Sequence, residues 1–266
     1  MGSLSLTCLG TGDGWPSADR GHAAFLYRWE GATFLVDCGE PVTRSCKAIG
    51  LAPDLIDRIL ISHLHFDHVG GFFLFVQGLW LEGRRRPLIT HLPAEGIEPV
   101  RRMLDAGYLL PDLLPYRLEL APVDPAAPIV VGPVRVTAFP TTHLDGLRRR
   151  LGAVHPQPFA AFSFLFETAG CRVAHSADIG AVGDLAPLLT QPVDLLVCEL
   201  AHIDLEQLGA FLRTRPVRRV LFVHLARIWR ADLEATRRRL AAALGDLPFA
   251  IAGEGEEVRV DAAAPA

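Results

Sequence analysis

Short apolar runs rich in β-branched and aromatic residues recur along the chain between glycines, prolines and aspartates. They are LSLTCL, ATFLVD, RILIS, PLITH, VRVTAF, FSFLFET, CRVAHS, DLLVCE, RVLFVH and EEVRV. Runs of this length, punctuated by turn formers, predict strands. The intervening pattern predicts helices over 41–49, 70–82, 95–106, 204–213 and 231–244, the first with Pro41 in its first turn and Gly50 as its stop. The first half is strand-rich, and the second alternates strand with helix. That order predicts an α/β protein of two packed sheets covered by helices, within one domain over 1–260, followed by a frayed tail, DAAAPA, over 261–266. The one linker-like segment, APVDPAAP over 121–128, is short enough to be a loop between strands. The stretch FFLFVQGLW over 72–80 is apolar on every helical face, so it is expected to be buried twice or shared with a second subunit in a homodimer.

With 266 residues, half of them hydrophobic, the chain can bury a substantial core. The net charge of −4 gives no global attraction to nucleic acid or to an anionic membrane, so an anionic partner must be recognised locally. Lys47 is the single lysine among 26 basic residues, and the arginine triplets 84–86, 148–150 and 237–239 read first as solvated helix faces. The five cysteines are scattered, odd in number and form no C-x-x-C pair, which argues against a disulfide framework and fits a reducing cytoplasm. GGFFLFVQGLWL is too short to cross a bilayer. MGSLSLTCLG lacks a secretory pattern, and Leu6 stands where a myristoylation signal needs Ser or Thr, so no membrane association is expected.

The polar pattern breaks at SHLHFDHVGG, where His63, His65, Asp67 and His68 follow the apolar run RILI. Neutral imidazole is the commonest protein ligand for transition metals, and two imidazoles one residue apart can both reach one ion. Three further candidates share the same context. His143 follows VRVTAF, Asp178 follows CRVAHS and His224 follows VLFV, all where a predicted strand runs out and α/β proteins gather functional loops. Asp37, at the end of FLVD, is either a group that holds a ligand imidazole or an ordinary turn residue.

The ordered series LGTGDG, FLVDCGE, ILISHLHFDHVGG, TTHLDG, HSADIG, CELAH and LFVHLA resembles the metallo-β-lactamase superfamily, specifically its ribonuclease Z-like branch. The resemblance implies an αβ/βα sandwich with two metal ions at one edge. It assigns His63, His65 and His143 to the first ion, Asp67, His68 and His224 to the second, and Asp178 to both. Such a donor set suits two Zn2+, with Mn2+ or Fe compatible. Two adjacent ions lower the pKa of a shared water, which implies a hydrolase, with Asp67 among its catalytic groups.

The branch also uses a histidine upstream of the last ligand to contact the scissile phosphate, oriented by an acidic residue. Here His202 precedes His224 by 22 residues and Glu199 stands three before His202, whereas the family places the two in separate loops. The alternative is that His202 merely precedes a helix capped by Asp204. His22, His91, His155 and His175 match no motif position; His155 could line the pocket, and one of Arg148, Arg149 and Arg150 could meet an anionic substrate.

The leading expectation is therefore hydrolysis of a small phosphodiester. The alternatives are hydrolysis of a lactone, thioester or other acyl bond on the same centre, or a non-enzymatic metal- or ligand-binding protein. The family's RNA-gripping arm lies between the third histidine and the bridging aspartate, an interval of only 35 residues here, so extended nucleic acid is not expected as a partner and a small anionic molecule is.

Overall fold

The computed structural model describes residues 4–260. In chain order the elements are β1 (Leu4–Gly10), β2 (Ala24–Trp29), β3 (Ala32–Val36), α1 (Val42–Ala48), β4 (Arg58–Leu60), α2 (Phe66–Val69), α3 (Phe72–Leu81), β5 (Leu88–Leu92), α4 (Ile97–Ala106), β6 (Leu118–Pro122), β7 (Ile129–Val131) and β8 (Val134–Pro140). They continue with α5 (Asp145–Leu151), β9 (Phe162–Thr168), β10 (Cys171–His175), β11 (Leu195–Leu200), α6 (Leu205–Leu212), β12 (Val220–Leu225), α7 (Arg227–Arg230), α8 (Leu233–Leu244), β13 (Phe249–Ile251) and β14 (Glu257–Val260).

One sheet has the order β14-β1-β2-β3-β4-β5-β6 and the other β13-β12-β11-β10-β9-β8-β7. Both are mixed. β1, β2 and β3 pair antiparallel and β3 to β6 parallel, while β7 to β10 pair antiparallel and β10 to β13 parallel. Between the sheets lies a core of Phe25, Tyr27, Phe34, Phe164, Phe166 and Val197. Residues of alternate parity belong to the outer cores beneath the helices: Leu26 and Leu35 share one with Phe72 and Phe75 of α3, and Leu196 and Phe222 share another with Leu208 of α6 and Leu240 of α8. Central strands buried on both faces have no polar alternation, which is why they read in the sequence as continuous apolar runs.

The pattern reading misses β2, β6, β7, β13, α2, α5 and α7. β7 and β13 are three residues long, β6 is a half-buried edge strand ending in Pro122, and α5 buries none of its residues and so carries no apolar stripe. The predicted helix over 70–82 starts at Phe72, with the separate turn α2 before it. The linker-like segment is a loop between β6 and β7, its first two residues completing β6. α3 is buried on one side only, through Phe72, Phe75, Val76 and Leu79, and leaves Leu74 and Leu81 exposed. All five cysteines are free and buried. Among the described residues no helix is long and apolar enough to cross a membrane. The expected tail over 261–266 lies outside the described residues.

Candidate metal centre

The loops leaving β3, β4, β8, β10 and β12 converge at one edge of the sandwich. β4 runs into Ser62 and His63, and α2 then carries Asp67 and His68; His143 and Asp178 follow β8 and β10, and His224 is the penultimate residue of strand β12. Among the described residues four sets of donor atoms cluster here, each lying within 4.8 Å: His63, His65 and His143; Asp67, His68 and His224; His63, His68 and Asp178; and His143, Asp178 and His202.

In the first set His65 Nδ1 lies 3.1 Å from His63 Nε2 and 3.3 Å from His143 Nε2. Bonds of about 2.05 Å at tetrahedral angles put donor atoms about 3.3 Å apart, so these separations fit a shared zinc-sized ion. In the second set His68 Nε2 and His224 Nε2 lie 3.5 and 3.7 Å from Asp67 Oδ2. Asp178 faces both sets. Its Oδ2 is 3.9 Å from His63 Nε2, 3.6 Å from His143 Nε2 and 3.4 Å from His224 Nε2, and its Oδ1 is 3.4 Å from His68 Nε2. His68 Nε2, His224 Nε2 and Asp178 Oδ1 are buried with no hydrogen-bond partner in the protein, a costly arrangement unless another group completes them. The donor set and these orphaned atoms fit bound metal.

Asp37 fixes the second set from behind. Its carboxylate accepts from Ser62 N at 2.7 Å, Ser62 Oγ at 2.9 Å and His68 Nδ1 at 2.7 Å. A carboxylate only accepts, so Nδ1 of His68 carries the proton and Nε2 turns a lone pair toward the cluster. Asp37, Ala177 and His224 all adopt left-handed backbone, at φ of 60°, 45° and 48°, a conformation non-glycine residues hold only where surrounding contacts impose it.

A second clamp was not visible in the sequence. Asp184 Oδ2 accepts from Thr142 N, Thr142 Oγ1 and Gly180 N, each at 2.9 Å, and so ties the loop of His143 to the loop of Asp178. Thr141 Oγ1 adds a bond to the Asp178 carbonyl at 2.9 Å.

Glu199 is fully buried at the end of β11. Its Oε1 accepts from Ile179 N and from His202 Nδ1, both at 3.0 Å, and its Oε2 accepts from Ala201 N at 2.7 Å and His202 N at 2.9 Å. Falling in one loop therefore does not separate the pair. Asp204 does cap α6, accepting from Gln207 N at 2.9 Å, and this cap leaves the His202–Glu199 contact intact. Burial pushes the His202 imidazole down, but the Glu199 hydrogen bond and charge outweigh it and raise it to about 9. His202 Nδ1 also lies 3.7 Å from Asp178 Oδ2, within reach of a metal site. Its proton is committed to Glu199, so we place His202 beside the donor set rather than in it.

The other histidines separate by environment. His175 is buried between the sheets, bonded through Nδ1 to Tyr27 Oη at 2.8 Å, and burial first, with the neighbouring His68, pushes it down to about 3. His155 is exposed beyond α5, and Arg148 pairs with Asp145 at 2.8 Å; neither is brought into the donor cluster. His22, which no motif singled out, lines a cleft with His65 and Asp67.

A two-sheet sandwich with clustered imidazoles and carboxylates at one edge defines a metal-binding αβ/βα protein. The chain belongs to the metallo-beta-lactamase superfamily, whose model matches residues 18–240. It is 32% identical to Ribonuclease Z of Methanococcus maripaludis over 140 residues, 53% of this chain and 46% of that protein. It is 36% identical to Ribonuclease Z of Bradyrhizobium sp. over 142 residues, 53% of this chain and 47% of that protein. The chain thus matches about half the length of these curated relatives. In fold it resembles the metallo-beta-lactamase fold protein YhfI of Bacillus subtilis, with TM-score 0.78, 18% identity and coverage of 97% of this chain and 100% of that one. It also resembles yeast PDE1, with TM-score 0.72, 14% identity and coverage of 97% and 99%, and the short form of human tRNase Z, with TM-score 0.71, 18% identity and coverage of 97% and 99%.

Proposed function

We propose that the protein is a metal-dependent hydrolase of phosphodiesters, with His63, His65 and His143 as ligands of one ion, Asp67, His68 and His224 as ligands of a second, and Asp178 shared. Bound there, the ions would supply Lewis acidity and lower the pKa of a shared water. The imidazole-rich set favours Zn2+, with Mn2+ and Fe compatible.

The observation that carries the phosphodiester reading is the His202–Glu199 pair, 3.0 Å apart beside Asp178. With Nδ1 held by Glu199, the opposite nitrogen, Nε2, is left for substrate. An imidazole raised to about 9 is protonated at neutral pH, so Nε2–H donates to the developing negative charge or passes its proton to the leaving oxygen. Asp67 is anionic and open on one side. Burial raises its carboxyl, but His68 and His224 hold it below the usual carboxylate range, so it can orient an incoming water.

The interval from His143 to Asp178 is occupied by α5, β9 and β10, which supports a compact substrate, whereas relatives named Ribonuclease Z favour RNA. Acyl hydrolysis on the same donors needs no His202. Five free, buried thiols fit a reducing cytoplasm. The test compares a chromogenic phosphodiester, an aryl ester and a transfer RNA precursor on the metal-loaded protein and on His202→Ala. The phosphodiester reading expects the variant to keep its metal and lose roughly 10²- to 10⁴-fold on the phosphodiester. Wild-type turnover of the aryl ester alone, unaffected in the variant, supports acyl chemistry. Precursor processing far faster than the small diester supports RNA.

A further inference from the structure

Beside the second donor set lies an open cleft of about 520 Å³, bordered by Gly14, Pro16, His22, Glu40, Phe66 and Asp67. Three loops build it, and each is fixed. Glu254 Oε1 accepts from Thr11 N at 2.9 Å and Gly21 N at 2.8 Å, anchoring both ends of the loop that carries Gly14 and Pro16. His22 N donates to the Glu40 carbonyl at 2.7 Å, joining that loop to the one after β3. Gly39 lets this second loop sit against the third: a β-carbon there would lie 2.7 Å from the His22 side chain and would collide with the Asp67 carbonyl.

The chemistry of the lining is one-sided. His22 bonds through Nδ1 to the Asp13 carbonyl at 2.9 Å. A carbonyl only accepts, so Nδ1 carries the proton and Nε2 is left as an acceptor. Glu40 is exposed and forms no salt bridge among the described residues. Phe66, 71% exposed on the first turn of α2, offers a bare aromatic face. The cleft thus offers acceptors and an aromatic platform, and none of its lining residues is an arginine or a lysine.

A second phosphate would meet the Glu40 carboxylate with no arginine or lysine of the lining to offset it. A quaternary ammonium would suit Phe66 and Glu40 but has no proton for His22 Nε2. The group that satisfies all three is uncharged, bears hydroxyl or N–H donors, and has a planar face. Resting on the phosphodiester reading, we propose that this cleft holds the non-reacting part of the substrate as a nucleoside, with His22 and Glu40 as specificity-determining acceptors and Phe66 as the stacking surface.

Three diesters that all release p-nitrophenolate test this on the full-length, metal-loaded protein: the p-nitrophenyl ester of thymidine 5′-phosphate, methyl p-nitrophenyl phosphate and p-nitrophenyl phosphorylcholine. The nucleoside ester is expected to exceed the methyl ester in kcat/KM by about tenfold or more, the scale of one or two hydrogen bonds. The gain should fall in KM, because the group held is remote from the reacting bond. His22→Leu and Glu40→Ala should each reduce that ratio severalfold, and Glu40→Ala changes an exposed side chain, so it keeps the test valid if His22→Leu fails to fold. Equal use of the nucleoside and methyl esters, a preference that survives both variants, or a first preference for the choline ester would overturn the assignment of the cleft while leaving phosphodiester hydrolysis standing. No turnover of any diester by the loaded protein would take down both readings.

Discussion

His68 Nδ1 lies 2.7 Å from Asp37 Oδ2, and the same carboxylate takes Ser62 N and Ser62 Oγ, so one buried aspartate sets both the tautomer of a candidate ligand and the course of the loop that carries the histidine cluster. The relationship ties strand β3 to the loop after β4, and hence the sheet to the chemistry.

Asp37→Asn keeps the shape, and asparagine tolerates the positive φ of this position. Its amide must present N–H2 toward groups that already donate. His68 is expected to change tautomer or rotate, weakening metal affinity by about 10- to 100-fold, the usual cost of losing such a partner. A competition titration against a chromophoric chelator measures it; wild-type affinity would return Asp37 to a turn residue.

Removing the shared carboxylate should act on both donor sets at once. Asp178→Ala is expected to lower the metal content of purified protein and its turnover together. Elemental analysis showing two ions per chain in this variant would contradict the bridging assignment.

His202 is raised to about 9, so its charged form is present at neutral pH and disappears as pH rises through that value. Turnover of a phosphodiester with a poor leaving group should therefore fall on the alkaline side. Glu199→Gln removes the interaction that raises the imidazole and leaves the burial that lowers it, so the alkaline limb should move to lower pH, and in His202→Ala it should vanish. Bound cations would shift these limbs to lower pH but keep their order. A pH–rate profile identical in wild type and Glu199→Gln would contradict the pairing.

Asp184 binds the loops of His143 and Asp178 without lining the donor cluster. Asp184→Ala should cost about 1 to 2 kcal/mol in stability, the scale of a few partly exposed hydrogen bonds to a carboxylate. It should also lower metal affinity, since the two loops lose their common anchor. Thermal melts of the chelator-treated and metal-loaded forms separate these effects; a variant with both values unchanged would remove the clamp.

The sequence exposes what is local and hides what is joined across the fold. The four groups between His63 and His68 are legible because one loop carries them. His143, Asp178 and His224 are legible because each comes where an unmistakable apolar strand run ends. Asp184 is invisible because its role is a contact with Thr142, 42 residues earlier. His22 reads as a lone histidine until the turn at Gly39 brings it against the Asp67 loop. The same contrast governs the fold. β9 and β11 are buried on both faces and stand out, whereas β6 and β7 are sheet-edge strands whose residues are mixed or few.

The paired centre is tested most directly by titrating chelator-treated protein with Zn2+ while following hydrolysis of bis(p-nitrophenyl) phosphate. Two donor sets sharing Asp178 predict little turnover at one equivalent per chain and a plateau at two. A plateau at one equivalent, or no phosphodiester turnover at any loading, would contradict the account.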